Sequence, residues 1–340
     1  MQTCATLHAG GEPPARPGLA VVLDAGYDDH AIEAGILAPF GLEVVERACH
    51  GDVTAVIAAV AGAQAVLVRE SPVPAAAMDA MPGCRAIVRY GVGVDNIDLA
   101  AAAGRGIKVA NVPDYGIEEV SDHALALLLA VERRIVSRDW AVRAGGWNIS
   151  RREPMRRLSE LTLGIIGHGR IGQAFHRKAA AFGFARVLVH DPGAADGCLL
   201  DDLLAGSDIV SLHLPLTPAT AGLIGAERIA RMKPGASLIN TARGGLVDEA
   251  ALAGALAAGR LRGAGIDVFA AEPPARDNPL LSLPQVVLSD HTGWYSEASV
   301  ADLQRKAAEE VARILSGRSP RHWVNAPPDY DFTETRQKET

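Results

Sequence analysis

One segment constrains this chain more than any other. LTLGIIGHGRIGQAF sets an apolar, strand-forming run against Gly167-x-Gly169-x-x-Gly172 and then a helix-forming stretch. Glycines at that spacing, where a strand gives way to a helix, allow a tight turn, close approach of the backbone to a pyrophosphate, and close packing of helix on strand. The helix start adds free N–H groups and the positive end of its dipole. A glycine triplet alone is also what any tight turn needs, so context decides. The next strand-like run, RVLVHD, ends in Asp191, 19 residues after Gly172 (191 − 172). That is about the spacing of the acid that holds the adenosine ribose hydroxyls. A dinucleotide site follows from the pair. A carboxylate there repels the 2′-phosphate of NADP, and Pro192-Gly193-Ala194-Ala195 brings no Arg or Lys to offset it, so NAD is the expected cofactor.

Around this segment, short apolar runs alternate with amphipathic ones. LAVVLDA, LEVVERA, AVLVRES, RAIVRYG and IKVANVP read as strands, with helices around Ile32–Phe40, Val53–Ala61, Ala75–Met81 and Leu99–Ala103. A single long helix is expected over Glu118–Arg143, followed by a basic, irregular stretch at Arg151–Arg157. Strands then recur at TLGIIG, RVLVHD, DIVSLHL, ASLINTA, GAGIDVF and QVVLSDH, and a last helix runs from about Ser296 to Ser316. Nearly continuous apolar strands alternating with helices indicate parallel sheets covered on both faces. The expected fold class is therefore α/β, with two doubly wound parallel-sheet domains. The tail after Pro327 is polar and expected to be loosely ordered.

At 340 residues the chain has room for two domains. A net charge of −7 argues against a nucleic-acid surface, and no apolar run reaches the length of a membrane span. The N-terminus has neither a basic start nor an apolar core, so a secretory leader is not expected and a cytoplasmic location is. Cys4, Cys49, Cys84 and Cys198 form no C-x-x-C pair, so neither a metal site nor a disulfide framework is expected.

Three ionisable residues stand at strand ends in the second half: Arg243 in NTARGG, Glu272 in DVFAAEPP and His291 in SDHTGW. Strand C-termini of a wound sheet are where ligands gather. Singly, each has a plain alternative: a surface charge, a turn residue, a loop histidine. Together with VRYGVGVDNID, NVPDYGIEEVSDHALALLLA, INTARGGLVDEAAL and GAGIDVFAAEP, they make the chain resemble the D-2-hydroxyacid dehydrogenase family from about Leu19 to Ala326. HTGWYSEAS and LGIIGHGRIGQAFHRKAAAFGF look most like its C-terminal binding protein branch, which includes NAD-linked corepressors.

The resemblance implies a Rossmann-type NAD domain (114–295) inserted into a flavodoxin-like substrate domain (1–113 and 296–340). It implies reversible hydride transfer between NADH and a small 2-oxo acid. In that reading Arg243 binds the substrate's carboxylate and carbonyl oxygen, a task suited to a planar guanidinium. His291 is the general acid and base, and Glu272 orients it and favours its protonated form. The backbone of Gly91, Val92 and Gly93 cradles the carboxylate, Arg89 binds beside it, and Trp294 walls the pocket or else packs at the hinge. Ile166, Gly167, His168, Gly169, Arg170, Ile171 and Gly172 form the phosphate loop. His213, Leu214 and Pro215 wall the adenine and ribose; Thr241 and Ala242 approach the nicotinamide ribose; Asp267 faces the carboxamide. His123, His168, His176 and His190 match no catalytic position and are read as surface or packing residues.

Two departures stand out. Asp290 replaces the proline usual before the catalytic histidine, either as an exposed loop carboxylate or as a second acid acting on it. Glu70 stands where the substrate pocket opens and would disfavour a phosphorylated substrate. A homodimer is expected through the cofactor domain, with the apolar helix at His123–Val131 and the arm after it as the contact. The alternatives are an NAD-sensing, corepressor-like protein, or a phosphoglycerate or glyoxylate/hydroxypyruvate enzyme on the same scaffold.

Overall fold

The computed structural model describes residues 17–147, 154–194 and 196–330. Cys4 with the rest of the N-terminal stretch, Arg151–Glu153, Ala195 and the end of the C-terminal tail lie outside the described residues. The chain divides into two compact units, one of residues up to Tyr115 and from Val300 onward, the other Gly116–Ser299.

The first unit alternates strand and helix: β1 (Gly18–Leu23), α1 (Ala31–Leu37), β2 (Leu42–Arg47), α2 (Val53–Ala59), β3 (Ala65–Val68), α3 (Ala75–Asp79), β4 (Ala86–Arg89), α4 (Leu99–Gly104) and β5 (Lys108–Ala110). The strands form one parallel sheet in the order β2-β1-β3-β4-β5. Its central strands are buried on both faces, which is why AVLV and AVVL carry no polar residue. Asp52 and Asp98 cap α2 and α4 by accepting from the amides of Thr54, Ala55 and Ala101.

The second unit opens with α5 (Ile117–Glu132) and α6 (Ile135–Arg143). The single helix expected over Glu118–Arg143 is thus two. Glu132 is fully buried, taking hydrogen bonds from Ser237 and Arg156. The chain then turns through Arg134, whose φ of 55° is left-handed and whose guanidinium reaches the Arg262 carbonyl. Helix propensity is continuous across this point, so the break comes from tertiary anchoring.

There follow β6 (Thr162–Ile166), α7 (Arg170–Ala180), β7 (Arg186–His190), α8 (Leu200–Gly206), β8 (Ile209–Leu212), α9 (Ala226–Arg231), β9 (Ala236–Asn240), α10 (Glu249–Ala257), β10 (Leu261–Ile266) and β11 (Val286–Leu288). The parallel sheet runs β11-β10-β9-β8-β6-β7, the winding order of the first sheet with one strand added. A last helix, α11 (Glu297–Leu315), leads back into the first unit.

The apolar stripe of α5 is not exposed. Ala124, Leu125, Leu127, Leu128 and Val131 are buried in the core formed with Leu163, Ile165, Phe175 and Ile239. Exposed apolar surface lies instead on α6 and just beyond, at Ile135, Trp140, Val142 and Trp147. Strand β10 explains how close α5 comes. A Cβ on Gly265 would meet Leu127 Cβ at 2.9 Å, and one on Gly263 would meet Val131 Cγ1 at 2.9 Å.

Candidate active site

From β7 the chain crosses past β6 to β8, so the winding reverses between the adjacent parallel strands β6 and β8, the place where ligands gather in such sheets. The three fingerprint glycines there are required for different reasons. Gly167 has φ +90°, and a Cβ on it would strike the His213 carbonyl at 2.4 Å. A Cβ on Gly172 would lie 2.1 Å from the Gly167 carbonyl oxygen, so helix α7 sits on the turn only with glycine there. A Cβ on Gly169 would meet no atom of the protein within 4 Å. Its backbone is open, at the N-cap of an 11-residue helix, to an approaching anion.

Ile166 ends β6 in the core, and Arg170 and Ile171 begin α7. Asp191 lies at the end of β7; its Oδ2 accepts from the His168 amide at 2.6 Å and its Oδ1 from the Gly193 amide at 2.7 Å. These two amides hold its carboxyl below the ordinary range, so it is ionised. His168 also meets His176 at 3.1 Å, so the loop histidine is tied to α7. The His213 backbone walls the loop, while its imidazole packs on Phe175 with ring centroids 4.6 Å apart. Burial pushes that imidazole down to about 3, keeping it neutral. Leu214 is half-buried and Pro215 exposed. His213 Nδ1 and Thr241 Oγ1 are buried with no hydrogen-bond partner among the described residues. Buried polar groups are ordinarily paired. The His213 orphan, against the glycine turn, and the Thr241 orphan, just after β9, suit the polar ribose and amide groups of a dinucleotide.

At the end of β9, Asn240 fastens the next loop, accepting from the Ala242 amide and donating to the Arg243 carbonyl. Gly244 follows, and a Cβ there would lie 1.8 Å from the Phe269 carbonyl carbon. This close crossing brings Arg243 beside the loop after β10. There Glu272 accepts from the Phe269 amide at 2.9 Å through Oε1 and meets His291 Nδ1 at 2.7 Å through Oε2. Burial works to raise the Glu272 carboxyl, but the His291 hydrogen bond, the Phe269 amide and the Arg243 charge together hold it below the ordinary range. Arg243, Glu272 and His291 therefore converge, with the other imidazole nitrogen, Nε2, left for chemistry.

His291 itself stands in the left-handed region, φ 57°, which a non-glycine residue adopts only when its surroundings hold it. Asp267, at the end of β10, is that support. Its carbonyl accepts the His291 amide, and its nearly fully buried carboxylate accepts from Ser289, Thr292 and Gly293. Burial works to raise that carboxyl, but the nearby His123 ring and the Ser289 hydrogen bond outweigh it and keep it low. Asp290 is exposed and accepts from the Thr292 hydroxyl. Trp294 is half-buried and lies edge-on to Tyr295. Sequence reasoning missed Asn240, Ser289 and His123, whose contact to Ser289 is described below. Of these only Asn240, in the NTARGG motif, carried a signal.

In the first unit, Arg89 ends β4 and donates to the Tyr90 carbonyl, folding over Gly91 so closely that a Cβ there would lie 1.5 Å from Nη1. The Gly91 amide donates to the Arg89 carbonyl at 2.9 Å. Val92 is exposed; its carbonyl accepts from Asn111. Gly93 is half-buried. Glu70, after β3, binds Arg69 at 3.0 Å.

Two wound parallel sheets, one with a glycine turn for a dinucleotide and an arginine, glutamate and histidine at its strand ends, define an oxidoreductase architecture. Comparison with known proteins makes the class specific. Residues 125–293 match the D-isomer specific 2-hydroxyacid dehydrogenase, NAD binding domain model. Over 273 residues the chain is 38% identical to a glycerate dehydrogenase of Methylorubrum extorquens, covering 78% of this chain and 86% of that one. It is 44% identical over 290 residues to a D-3-phosphoglycerate dehydrogenase of Mycobacterium leprae, covering 82% of this chain but 54% of that one. The chain thus spans about half the length of the phosphoglycerate dehydrogenases it matches. A D-lactate dehydrogenase from Aquifex aeolicus, solved with NAD and lactic acid, superposes with a TM-score of 0.82 at 29% identity, covering 91% of this chain and 99% of that one. The protein belongs to the D-isomer specific 2-hydroxyacid dehydrogenase family, and its second unit is the family's NAD-binding domain.

Proposed function

We propose that this protein is an NAD-dependent D-2-hydroxyacid dehydrogenase that interconverts a small 2-oxo acid and its 2-hydroxy acid. The observation that carries the reading is the His291–Glu272 contact at 2.7 Å beside Arg243. The cofactor supplies the hydride. Arg243 holds the substrate carboxylate and carbonyl oxygen, and His291 Nε2 gives a proton to that oxygen in reduction and takes it back in oxidation. Glu272 fixes Nδ1 as a donor, which leaves Nε2 as the nitrogen that exchanges the proton. Trp294 completes the contacts that this unit gives the substrate. Asp191 accepts from the adenosine ribose hydroxyls, which favours NAD over NADP. The protein works as a homodimer through α6, whose Ile135, Trp140 and Val142 are exposed.

The substrate is uncharged beyond its carboxylate. The family resemblance sets Glu70, which pairs with Arg69 at 3.0 Å, near the opening of the pocket, where an acid opposes a phosphate. A second reading, a phosphorylated 2-oxo acid, is favoured by the identity to phosphoglycerate dehydrogenases. The C-terminal binding protein branch rests on the HTGWYSEAS and LGIIGHGRIGQAFHRKAAAFGF stretches, and the relatives named above are dehydrogenases. NADH oxidation measured with glyoxylate, hydroxypyruvate, 4-methylthio-2-oxobutyrate and 3-phosphohydroxypyruvate separates these readings. The uncharged acids should give the higher kcat/KM, and Trp294→Ala should change the preference among their side chains. Faster use of the phosphorylated acid overturns the substrate assignment. His291→Ala should lower turnover by roughly the 10²–10⁴-fold typical of general acid–base groups. A variant that keeps most of its turnover refutes the mechanism.

A further inference from the structure

We infer that His123, on α5, is a positioning residue for the catalytic loop, acting through a fixed chain of hydrogen bonds that ends beside His291. This rests on the reading of His291 as the proton donor. The proton count fixes the direction of the chain. Asp267 is ionised and can only accept, so the Ser289 hydroxyl, 2.6 Å from Oδ1, gives it its single proton. His123 Nε2 lies 2.7 Å from Ser289 Oγ and 3.3 Å from the same Asp267 oxygen. Between two acceptors it must carry the hydrogen. The order is therefore His123 Nε2–H to Ser289 Oγ–H to Asp267 Oδ1.

The same carboxylate then takes the amides of Thr292 and Gly293, and the Asp267 carbonyl takes the amide of His291. The catalytic histidine is bracketed on both sides, from Ser289 before it to Gly293 after it. That is what its left-handed backbone requires, since such strain persists only where the surroundings over-determine it.

The packing of α5 shows that His123 is placed by the fold. Residues 123, 127 and 131 form one row at four-residue spacing on α5. Each faces a glycine: Val131 meets Gly263, Leu127 meets Gly265, and a Cβ on Gly293 would lie 3.2 Å from His123 Cδ2. Three small residues let the helix press its row onto β10 and the catalytic loop, with the imidazole at the end where the chemistry is. Both the neutral Nε2–H tautomer and the imidazolium present the same donor, so the support survives a change of protonation.

The test uses the full-length protein, NADH and the best 2-oxo acid of the panel above. His123→Ala should lower kcat roughly 10–100-fold, the scale of a misplaced catalytic group, with NADH affinity by fluorescence titration changed less than about threefold. Its pH profile should fall in height without moving sideways. His123→Gln, whose amide nitrogen can reach Ser289, should recover most of the loss. Ser289→Ala should cost about as much as His123→Ala, and the double variant little more than either. In ¹⁵N-histidine-labelled protein without cofactor, a slowly exchanging imidazole N–H should be present, absent in His123→Ala and displaced in Ser289→Ala. Wild-type kcat in His123→Ala, no recovery with Gln, or fully additive losses overturns the proposal. A His291→Ala variant that retains turnover would instead refute the reading beneath it, while the imidazole signal still reports on the chain itself.

Discussion

At the mouth of the first sheet the acid stands on the first strand; at the mouth of the second it stands on the second strand. Asp24, just after β1, accepts from the amides of Cys49 and His50 beyond β2 and from the Ser71 hydroxyl beyond β3. Asp191, just after β7, accepts from the amide of His168 beyond β6. The winding order is shared, and the hydrogen bond that ties neighbouring strand ends together has donor and acceptor exchanged. The consequence is chemical. In the first unit a fixed carboxylate fills the crevice between β1 and β3, and the first residue of α1, Ala31, comes seven positions after it (31 − 24). In the second, the turn after β6 carries no acid, and α7 starts at once, at Arg170, with its amides uncovered. Two sheets of the same winding order thus differ in whether the turn after the first strand carries a carboxylate of its own, which would repel a phosphate.

The two turns can be separated by substitution. Gly169→Ala puts a methyl group into space the protein does not use, so thermal stability should stay within about 2 °C. The same methyl group would stand where a pyrophosphate must come close, and the NADH dissociation constant should rise by about tenfold or more, some 1.4 kcal/mol. Gly172→Ala should behave in the opposite manner and lower the melting temperature, because its methyl group collides with the Gly167 carbonyl. Unaltered NADH binding in Gly169→Ala would show that the open turn is not the cofactor's.

Asp24→Ala tests the other mouth. It strands two amides and a hydroxyl; leaving one buried polar group unmet costs about 1–3 kcal/mol. The first unit should lose stability on that scale while NADH affinity is unchanged. The pH dependence has a definite sign. Burial works to raise the Asp24 carboxyl, but the Ser71 hydroxyl and the His50 and Cys49 amides bring it below its ordinary value. A depressed carboxyl contributes stability that is present above its unfolded value and lost as the pH falls through the folded one. The wild type should therefore soften below about pH 4, and Asp24→Ala should show a flatter acid limb. Equal acid limbs in the two proteins would count against Asp24 as the tie.

A smaller effect is expected from Asp191→Ser. The Ser variant gives up two ionic acceptors for ribose and one source of repulsion toward a 2′-phosphate. The ratio of NADH to NADPH efficiency should drop by about tenfold, chiefly through weaker NADH binding. An unchanged ratio would mean that the specificity lies elsewhere in the loop.

Much of this was legible from residue order because parallel strands are written as unbroken apolar runs and the glycine turn has a fixed spacing. Arg243, Glu272 and His291 were legible as strand-end charges. What residue order concealed was three-dimensional in origin. The break at Arg134 follows from the anchoring of Glu132 on Ser237 and Arg156, far away in sequence. His123 sits in an apolar helical pattern, where nothing marks it apart from its neighbours; its role depends on Gly293, Ser289 and Asp267 meeting it across the unit. The local turn from the Gly91 amide to the Arg89 carbonyl carries no mark in residue order either. The short helices α8, α9 and α10 offer too few turns for a clear periodic signal.

The finest discrimination concerns Glu272, whose influence on His291 is electrostatic and orienting at once. The His291 hydrogen bond helps to keep the Glu272 carboxyl below its ordinary range against the opposing pull of burial. The carboxylate stands 2.7 Å from Nδ1, where it is a charge partner for a protonated ring. Glu272→Gln keeps an acceptor oxygen near Nδ1 and removes the charge. Reduction needs the imidazolium, so removing the carboxylate charge should move the loss of reduction activity with rising pH to lower pH in the variant. Oxidation, which needs the neutral ring, should extend to lower pH as well. The two directions are measured on the same variant with NADH and a 2-oxo acid, then NAD and the matching 2-hydroxy acid. A profile that drops in height without moving would assign Glu272 an orienting role alone, placing it with His123 and not with the proton.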